Sequence, residues 1–305
     1  MTDHYPRVRI YKRKDTPDEP DLLGIREGLS ITFFMKRLHQ EVVHDVLRAV
    51  AVYRQTVKPG ALAWYAEPFS GDWDDFDAKG QAYVWREMQA HPALSMWLRE
   101  FPDRASGYEV IYWGHLFETE ALNETNVVSF LLPTEVMEEH GPEWVKALAL
   151  RLARELPYAS GYAGLSFHYP DSVVGYTDRI RPFALRYPGL DIPGLHSEAS
   201  SVGTRVKGVH WMNFLGPTVL EPLGGVEGLR ARLHTPGTTV EDLGDGRALV
   251  TLGPWPEAGD LERGLELPAW RELARVLEPW LYLGHASWSG FRDEDMRRWE
   301  RRFLD

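Results

Sequence analysis

Gly203–Gly216 (GTRVKGVHWMNFLG) contains the strongest fold signal in the chain. Between Val209 and Leu215, both alternating sets of side chains are largely apolar, which predicts a strand buried on both faces. The flanking glycines, together with Gly208, are typical of positions where the backbone turns or packs closely. Nothing in the stretch has the pattern of a catalytic motif, so it predicts a scaffold element rather than a site.

Working outward, the chain shows three strand–helix–strand units. The first unit is predicted as strand 29–35, helix 40–57 and strand 62–66. The second is predicted as strand 127–132, a helix from Pro142, and strand 161–168. The third is predicted as strand 209–215, helix 226–233 and a hairpin in which 239–243 pairs with 247–252. Alternation of strands with helices predicts an α+β fold, with mixed or antiparallel sheet and packed helices. We expect an edge strand and loop over 1–24 and one α+β domain over 25–305, with a lobe boundary near 170 as an alternative.

Four segments together resemble the type VI secretion immunity family, the TsiV-type proteins. They are Gly203–Gly216, Asn126–Pro133, Tyr158–Pro170 and Gly246–Asp260 (GRALVTLGPWPEAGD), and the resemblance extends over about residues 25–305. It implies an immunity protein that binds a cognate toxin and has no catalysis of its own. In proteins of this kind the toxin is often a nuclease whose DNA-binding face is covered, so the resemblance implies a toxin partner with a basic surface.

Composition and charge point in the same direction. The 305-residue chain has a net charge of −11, which disfavours nucleic acid as a partner because phosphates require clustered Lys and Arg, and favours a basic one. It has no Cys, which excludes disulfides and thiolate chemistry. No apolar run is long enough to span a membrane, and the N-terminal residues lack the pattern of a secretion signal. We therefore expect a cytoplasmic protein with no membrane partner.

The motifs of catalytic, cofactor and metal sites are absent or incomplete, so the sequence predicts no such site. His39 and His44 flank Glu41 as in a zinc-protease motif, but a spacing of five places the two rings on different sides of a helix. Ser166 lacks the glycine two positions later that a hydrolase elbow requires. A hydrolase site assembled from dispersed His, Asp and Glu residues stays open as the alternative function, and a structural module of a secretion assembly as a third. His168 or His210 could meet a serine in space.

One short acidic segment is the candidate binding site. Its members are Asp72, Trp73, Asp74, Asp75, Phe76 and Asp77. The segment lacks the glycine and the bidentate glutamate of a calcium loop, so two interpretations compete. In the first, the segment only serves the fold, as a helix cap or a solvated acidic loop. In the second, it is a toxin-binding patch in which aromatic anchors are surrounded by charge. Partner specificity usually lies in loops, so the stretches 68–80, 98–107, 118–125 and 190–200 are the wider candidates.

Overall fold

Eleven strands form one antiparallel sheet in the part of the chain that the structure describes. The structure is a computed structural model that describes residues 4–12, 21–117, 123–170, 175–284 and 288–305. The strands are β1 (Arg9–Lys12), β2 (Leu22–Met35), β3 (Trp64–Ala66), β4 (Trp73–Asp75), β5 (Met96–Arg99), β6 (Glu109–Trp113), β7 (Asn126–Pro133), β8 (Ser160–His168), β9 (Met212–Leu215), β10 (Thr238–Gly244) and β11 (Arg247–Leu252). Their order is β10-β11-β9-β8-β2-β7-β6-β5-β3-β4, and β1 pairs with the beginning of β2.

Ten α-helices accompany the sheet within the same described ranges. They are α1 (His39–Thr56), α2 (Ala78–Ala90), α3 (Glu135–His140), α4 (Pro142–Glu155), α5 (Tyr176–Arg186), α6 (Leu195–Ala199), α7 (Pro217–Leu220), α8 (Gly225–Arg230), α9 (Pro268–Leu277) and α10 (Asp293–Glu300). The α+β prediction is confirmed, and the sheet is antiparallel. A division into lobes near 170 stays a prediction, as does the division at residue 24, which falls inside β2.

Strand β2 organises the core because it lies between β7 and β8 and is buried along most of its length. On one face of the sheet, Phe33 packs against Phe214 of β9 and belongs to the same apolar core as α1 and α4. On the other face, Phe34 forms a smaller cluster with Leu195 of α6. Helix α6 therefore covers the middle of the face that α1 and α4 leave open.

The strand predicted over 209–215 is shorter than expected, although the whole stretch is buried as predicted. Regular pairing begins at Met212. The Asn213 side chain accepts a hydrogen bond from the His210 N–H at 2.9 Å and donates one to the His210 carbonyl at 2.7 Å. These local bonds hold the chain in a turn and take the backbone of His210 out of the ladder.

The N-terminal segment, which pairs with β2 as strand β1, is also attached to the sheet through a buried carboxylate of β2. The carboxylate of Glu27 on β2 is fully buried and accepts the Val8 N–H at 2.8 Å and the Thr134 hydroxyl at 2.9 Å. Arg7 and Arg9 supply the positive charge at the same carboxylate. Because a buried carboxylate requires such partners, these arginines attach the N-terminal segment to the sheet.

Gly28 of β2 provides a stability prediction with a matched control. A Cβ built there would lie 2.1 Å from the His168 ring, which is held between the carbonyls of Leu29 and Ser106, at 3.1 and 3.4 Å, and donates its single N–H to one of them. We expect Gly28→Ala to lower the free energy of unfolding by about 3 kcal/mol, the upper range for overpacking. At Gly208 the added Cβ would meet only an atom at 3.7 Å, so Gly208→Ala should be close to neutral. Urea denaturation of both variants tests this, and equal losses would contradict it.

Candidate interaction surface

The acidic segment lies at one end of the sheet, on the hairpin formed by β3 and β4. Strand β4 is the outermost strand, paired only with β3 among the described strands. The hairpin loop is closed by Glu67, whose carboxylate accepts the N–H groups of Phe69 at 2.8 Å and Ser70 at 2.6 Å. Tyr83 of α2 donates its hydroxyl proton to the same carboxylate. The loop is thereby held in one conformation.

Hydrogen bonding at this loop shifts the pKa values of Glu67 and Tyr83. The bond from Tyr83, followed by the bond from Ser70, lowers the pKa of Glu67, and the same contact raises the pKa of Tyr83 to about 12. Glu67 therefore stays ionised and Tyr83 stays neutral across the physiological range. Phe69 projects from it with 61% of its surface exposed, the most exposed large apolar side chain among the described residues.

The six candidate residues occupy three kinds of environment. Asp72, Asp74 and Asp75 are exposed. Trp73 is partly buried, and the guanidinium carbon of Arg99 lies 5.0 Å from the centre of its ring. The three carboxylates and this indole thus form an acidic edge, which we define as Asp72–Asp75.

The other two candidates serve the fold directly. Phe76 is buried, with its ring 5.8 Å from that of Trp85, so it is a core residue and cannot anchor a partner as the sequence suggested. Asp77 accepts the N–H groups of Lys79 and Gly80 at 2.8 and 2.9 Å and caps α2. These bonds lower the pKa of Asp77. The helix-cap interpretation is thus right for Asp77, while the exposed aromatic side chain is Phe69, which lies in the predicted stretch 68–80 but was not singled out.

Of the other loop candidates, 190–200 differs most from expectation. Leu190, Ile192 and Ala199 are fully buried, the first two in the main core and Ala199 in the smaller cluster on the second face of the sheet. In 98–107, the beginning belongs to β5 and Phe101 is exposed beyond it. Most of the candidate stretch 118–125 lies outside the described residues. Residues 68–75, which comprise the hairpin loop and β4, consequently offer a better defined surface than the other three candidate stretches.

A buried ionic cluster lies behind the Gly203–Gly216 stretch. Lys207 is 4% exposed and contacts the carboxylates of Asp191 and Glu198, the latter at 2.9 Å. Arg302 from the C-terminal segment lies 3.6 Å from Asp191, and the His210 ring lies 3.4 Å from it. Two cations and two carboxylates are therefore enclosed together, a balance that buried charges require.

The charges in this cluster fix one another's protonation. Burial alone would raise the pKa of Asp191, but Lys207 holds it well below its usual value. Burial would likewise lower the pKa of Lys207, yet Asp191 and Glu198 hold it well above the usual value. Burial lowers the pKa of His210, so its ring is neutral at physiological pH.

The His210 ring and the Asp191 carboxylate lie together in this cluster, but among the described residues the Ser166 hydroxyl forms no hydrogen bond with either. Ser166 pairs with Asp191 through an isolated bridge, and the His210 ring is stacked on Tyr162 at 3.8 Å. The cavity beside Lys207 has a volume of about 10 Å³, which is no more than one water requires. His210 is thus packed within the protein interior, and this cavity is too small for a substrate.

A protein-family model described as "TsiV: Type VI immunity for VRR-NUC" matches residues 45–303. The chain belongs to this family. Among solved structures, the "Pseudomonas aeruginosa T6SS protein PA0821" is similar in fold, with a TM-score of 0.78 and 21% sequence identity over 93% of this chain and 85% of that one. No curated protein matches the chain.

An open groove of about 990 Å³ lies beside the N-terminal segment of this TsiV-family protein. His4 lies there, stacked on Trp255 at 4.9 Å and within 2.6 Å of the Glu257 carboxylate. The described residues that line the groove include neither Ser nor Cys. The groove therefore contains a His–carboxylate pair without a serine or cysteine nucleophile.

Metal centres and membrane spans leave recognisable patterns in a structure. Among the described residues of this TsiV-family protein, no group of three or more His, Asp and Glu side chains could hold a metal ion. No helix in those ranges is both long enough and apolar enough to cross a bilayer.

Proposed function

We propose that the chain is an immunity protein that binds and neutralises a VRR-NUC toxin by covering its substrate-binding face. The match to the TsiV immunity family over residues 45–303 carries this proposal. A nuclease must present positive charge to the DNA backbone, so an inhibitor with a net charge of −11 gains a faster encounter and complementary contacts. Because a nuclease toxin damages DNA in the cytoplasm, the proposed site of action is the cytoplasm of the producing cell.

The acidic edge is the surface we assign to this contact. Asp72, Asp74 and Asp75 are exposed on the last strand of the sheet, and Phe69 projects beside them. An exposed aromatic side chain close in sequence to three exposed carboxylates has the composition of an interface centre with a charged rim. The loop closed by Glu67 presents these groups in one conformation, which lowers the entropy lost on binding.

The mechanism proposed is steric and electrostatic, without chemistry by the immunity protein itself. The burial of His210, Asp191 and Ser166 supports this, since a substrate does not reach side chains that are at most 3% exposed. Protection against a nuclease requires an affinity near the nanomolar range, about −12 kcal/mol. An interface of standard size, about 1,600 Å², would be needed, so the acidic edge would be one part of a larger contact.

The proposal is tested with the purified chain and the purified cognate toxin. We expect a complex that survives gel filtration at micromolar concentration, stoichiometric inhibition of DNA cleavage, and loss of DNA binding by the toxin within the complex. A catalytically inactive toxin variant serves for the DNA-binding measurement. Failure to form a complex would refute the immunity function, whereas a complex that still binds DNA would refute only the covering of the substrate face.

A further inference from the structure

Strand β4 has one backbone edge in the ladder with β3 and a second edge that points away from it. The Asp72 carbonyl accepts the Glu67 N–H at 2.7 Å, and the register aligns Asp74 with Tyr65. Hydrogen-bonded pairs alternate with non-bonded pairs along an antiparallel ladder, so the N–H and carbonyl of Asp74 also face β3. The backbone groups of the residues on either side of Asp74 therefore point outward.

These outward groups belong to Trp73, which is partly exposed, and to Asp75, which is exposed. In the ranges that the structure describes, neither backbone group of Trp73 nor the N–H of Asp75 has a hydrogen-bond partner. The Asp75 carbonyl lies against the first turn of α2, where a Cβ on Gly80 would come within 2.4 Å of it. The open edge thus consists of the N–H and carbonyl of Trp73 and the N–H of Asp75.

The opposite edge of the sheet is covered by the chain itself. Arg230 of α8 donates two hydrogen bonds to the Val240 carbonyl of β10, at 3.1 and 2.8 Å. The Thr238 N–H of the same strand bonds to the Thr235 carbonyl at 3.2 Å. An unpaired edge is a template for another strand. The fold covers that template at β10 and leaves it open at β4.

The charges on β4 select what can pair with this edge. Asp72, Asp74 and Asp75 are all exposed. Two copies of the chain paired edge to edge would bring these carboxylates against their counterparts, and like charges opposite each other in a sheet are destabilising. A segment that carries Lys or Arg would form opposite-charge pairs across the strands instead. The open edge therefore disfavours self-association and favours a basic partner strand.

We propose that the toxin adds a short extended segment to the outer edge of β4, bonded to the backbone of Trp73 and the N–H of Asp75, with Lys or Arg beside Asp74. In such strand addition, main-chain hydrogen bonds supply affinity and side chains supply specificity. The segment would lengthen by one residue the cross-strand row that runs from Trp97 through Ala66 to Trp73. This inference rests on the proposed function and says how the acidic edge holds its partner.

Hydrogen exchange resolved to single residues tests the backbone contact directly. In the free chain we expect the amides of Trp73 and Asp75 to exchange rapidly, whereas that of Asp74, which faces β3, is protected. In the complex with the purified toxin, exchange at Trp73 and Asp75 should slow by about 10-fold or more. The Thr238 amide at the opposite edge is the control, and its rate should stay unchanged.

Proline at position 75 separates the backbone contribution from that of the carboxylate. Asp75→Pro removes the outward N–H together with the side-chain charge, and the matched control Asp75→Ala removes the charge alone. Edge strands tolerate proline where the N–H side faces solvent, so we expect both variants to unfold at similar temperatures. Calorimetry should show that the proline variant binds the toxin about 10-fold more weakly than the alanine variant.

Three results would overturn the inference. The first is equal affinity of the two folded variants, and the second is exchange at Trp73 and Asp75 that is as rapid in the complex as in the free chain. The third is protection of these amides already in the free chain, because the chain itself or a second copy would then occupy the edge. The exchange measurement uses the wild-type chain, so it decides even where proline disturbs the fold. If the wild-type chain does not bind the toxin, the proposed function fails instead, so the two failures are distinguishable.

Discussion

Replacing Asp72, Asp74 and Asp75 together by lysine should weaken binding of the cognate toxin by about 100-fold or more. The three carboxylates are exposed on the outermost strand, so the change converts attraction for a basic surface into repulsion. Most of the loss should appear in the association rate, because long-range attraction accelerates encounter. Stopped-flow association and calorimetry measure the two effects, and the difference from wild type should shrink as salt screens the charges.

The control variant changes the net charge by the same amount, but at positions outside the acidic edge. Glu139, Glu227 and Glu266 are exposed residues outside the acidic edge, and their triple replacement by lysine should alter affinity only slightly. Equal losses in the two triple variants would show that overall charge matters and that the acidic edge is not the binding surface. An unaffected Asp72–Asp75 variant would place the toxin on another part of the chain.

Lys207→Met should destabilise the fold strongly, by at least as much as Gly28→Ala. It leaves the buried carboxylates of Asp191 and Glu198 with only Arg302 and His210 nearby. Removing one partner from a buried ion pair costs about 3–5 kcal/mol, a large share of the roughly 5–15 kcal/mol typical of a folded protein. Chemical denaturation measures the change. The double variant Lys207→Met, Glu198→Gln should recover part of it, since the charges of Asp191 and Arg302 then balance each other.

The loss of stability in Lys207→Met should also depend on pH, in a direction set by the pKa of Asp191. In the wild-type chain the pKa of Asp191 is depressed, so the unfolded state binds more protons and stability is lost as pH falls through and below its usual value. Without Lys207, burial dominates and the pKa of Asp191 rises, so the folded variant is protonated more readily. The gap in the free energy of unfolding between wild type and Lys207→Met should therefore narrow on acidification from neutral pH. If the difference in the free energy of unfolding instead grows as the pH falls, Lys207 does not compensate the buried carboxylates.

Local patterns in the sequence were sufficient for most of the elements. The apolar stripe of α1, the proline that starts α4, and the tight turn between β10 and β11 depend on residues close together in the chain. The same holds for Asp77, because a cap acts on backbone groups two and three positions later. The match of the family model to residues 45–303 agrees with the resemblance recognised in the sequence.

The sequence by itself therefore determined the α+β class, the family and the acidic character of a candidate surface, because periodicity, caps and charge are local or additive properties. Only the tertiary structure decided that Phe76 is core while Phe69 is exposed, since burial depends on what packs against a side chain from distant parts of the chain. It also decided that Lys207 and Asp191 meet in the interior and that Trp73, Ala66 and Trp97 share one row. Strand order and register create these neighbours, and neither is encoded in the spacing of residues along a single segment.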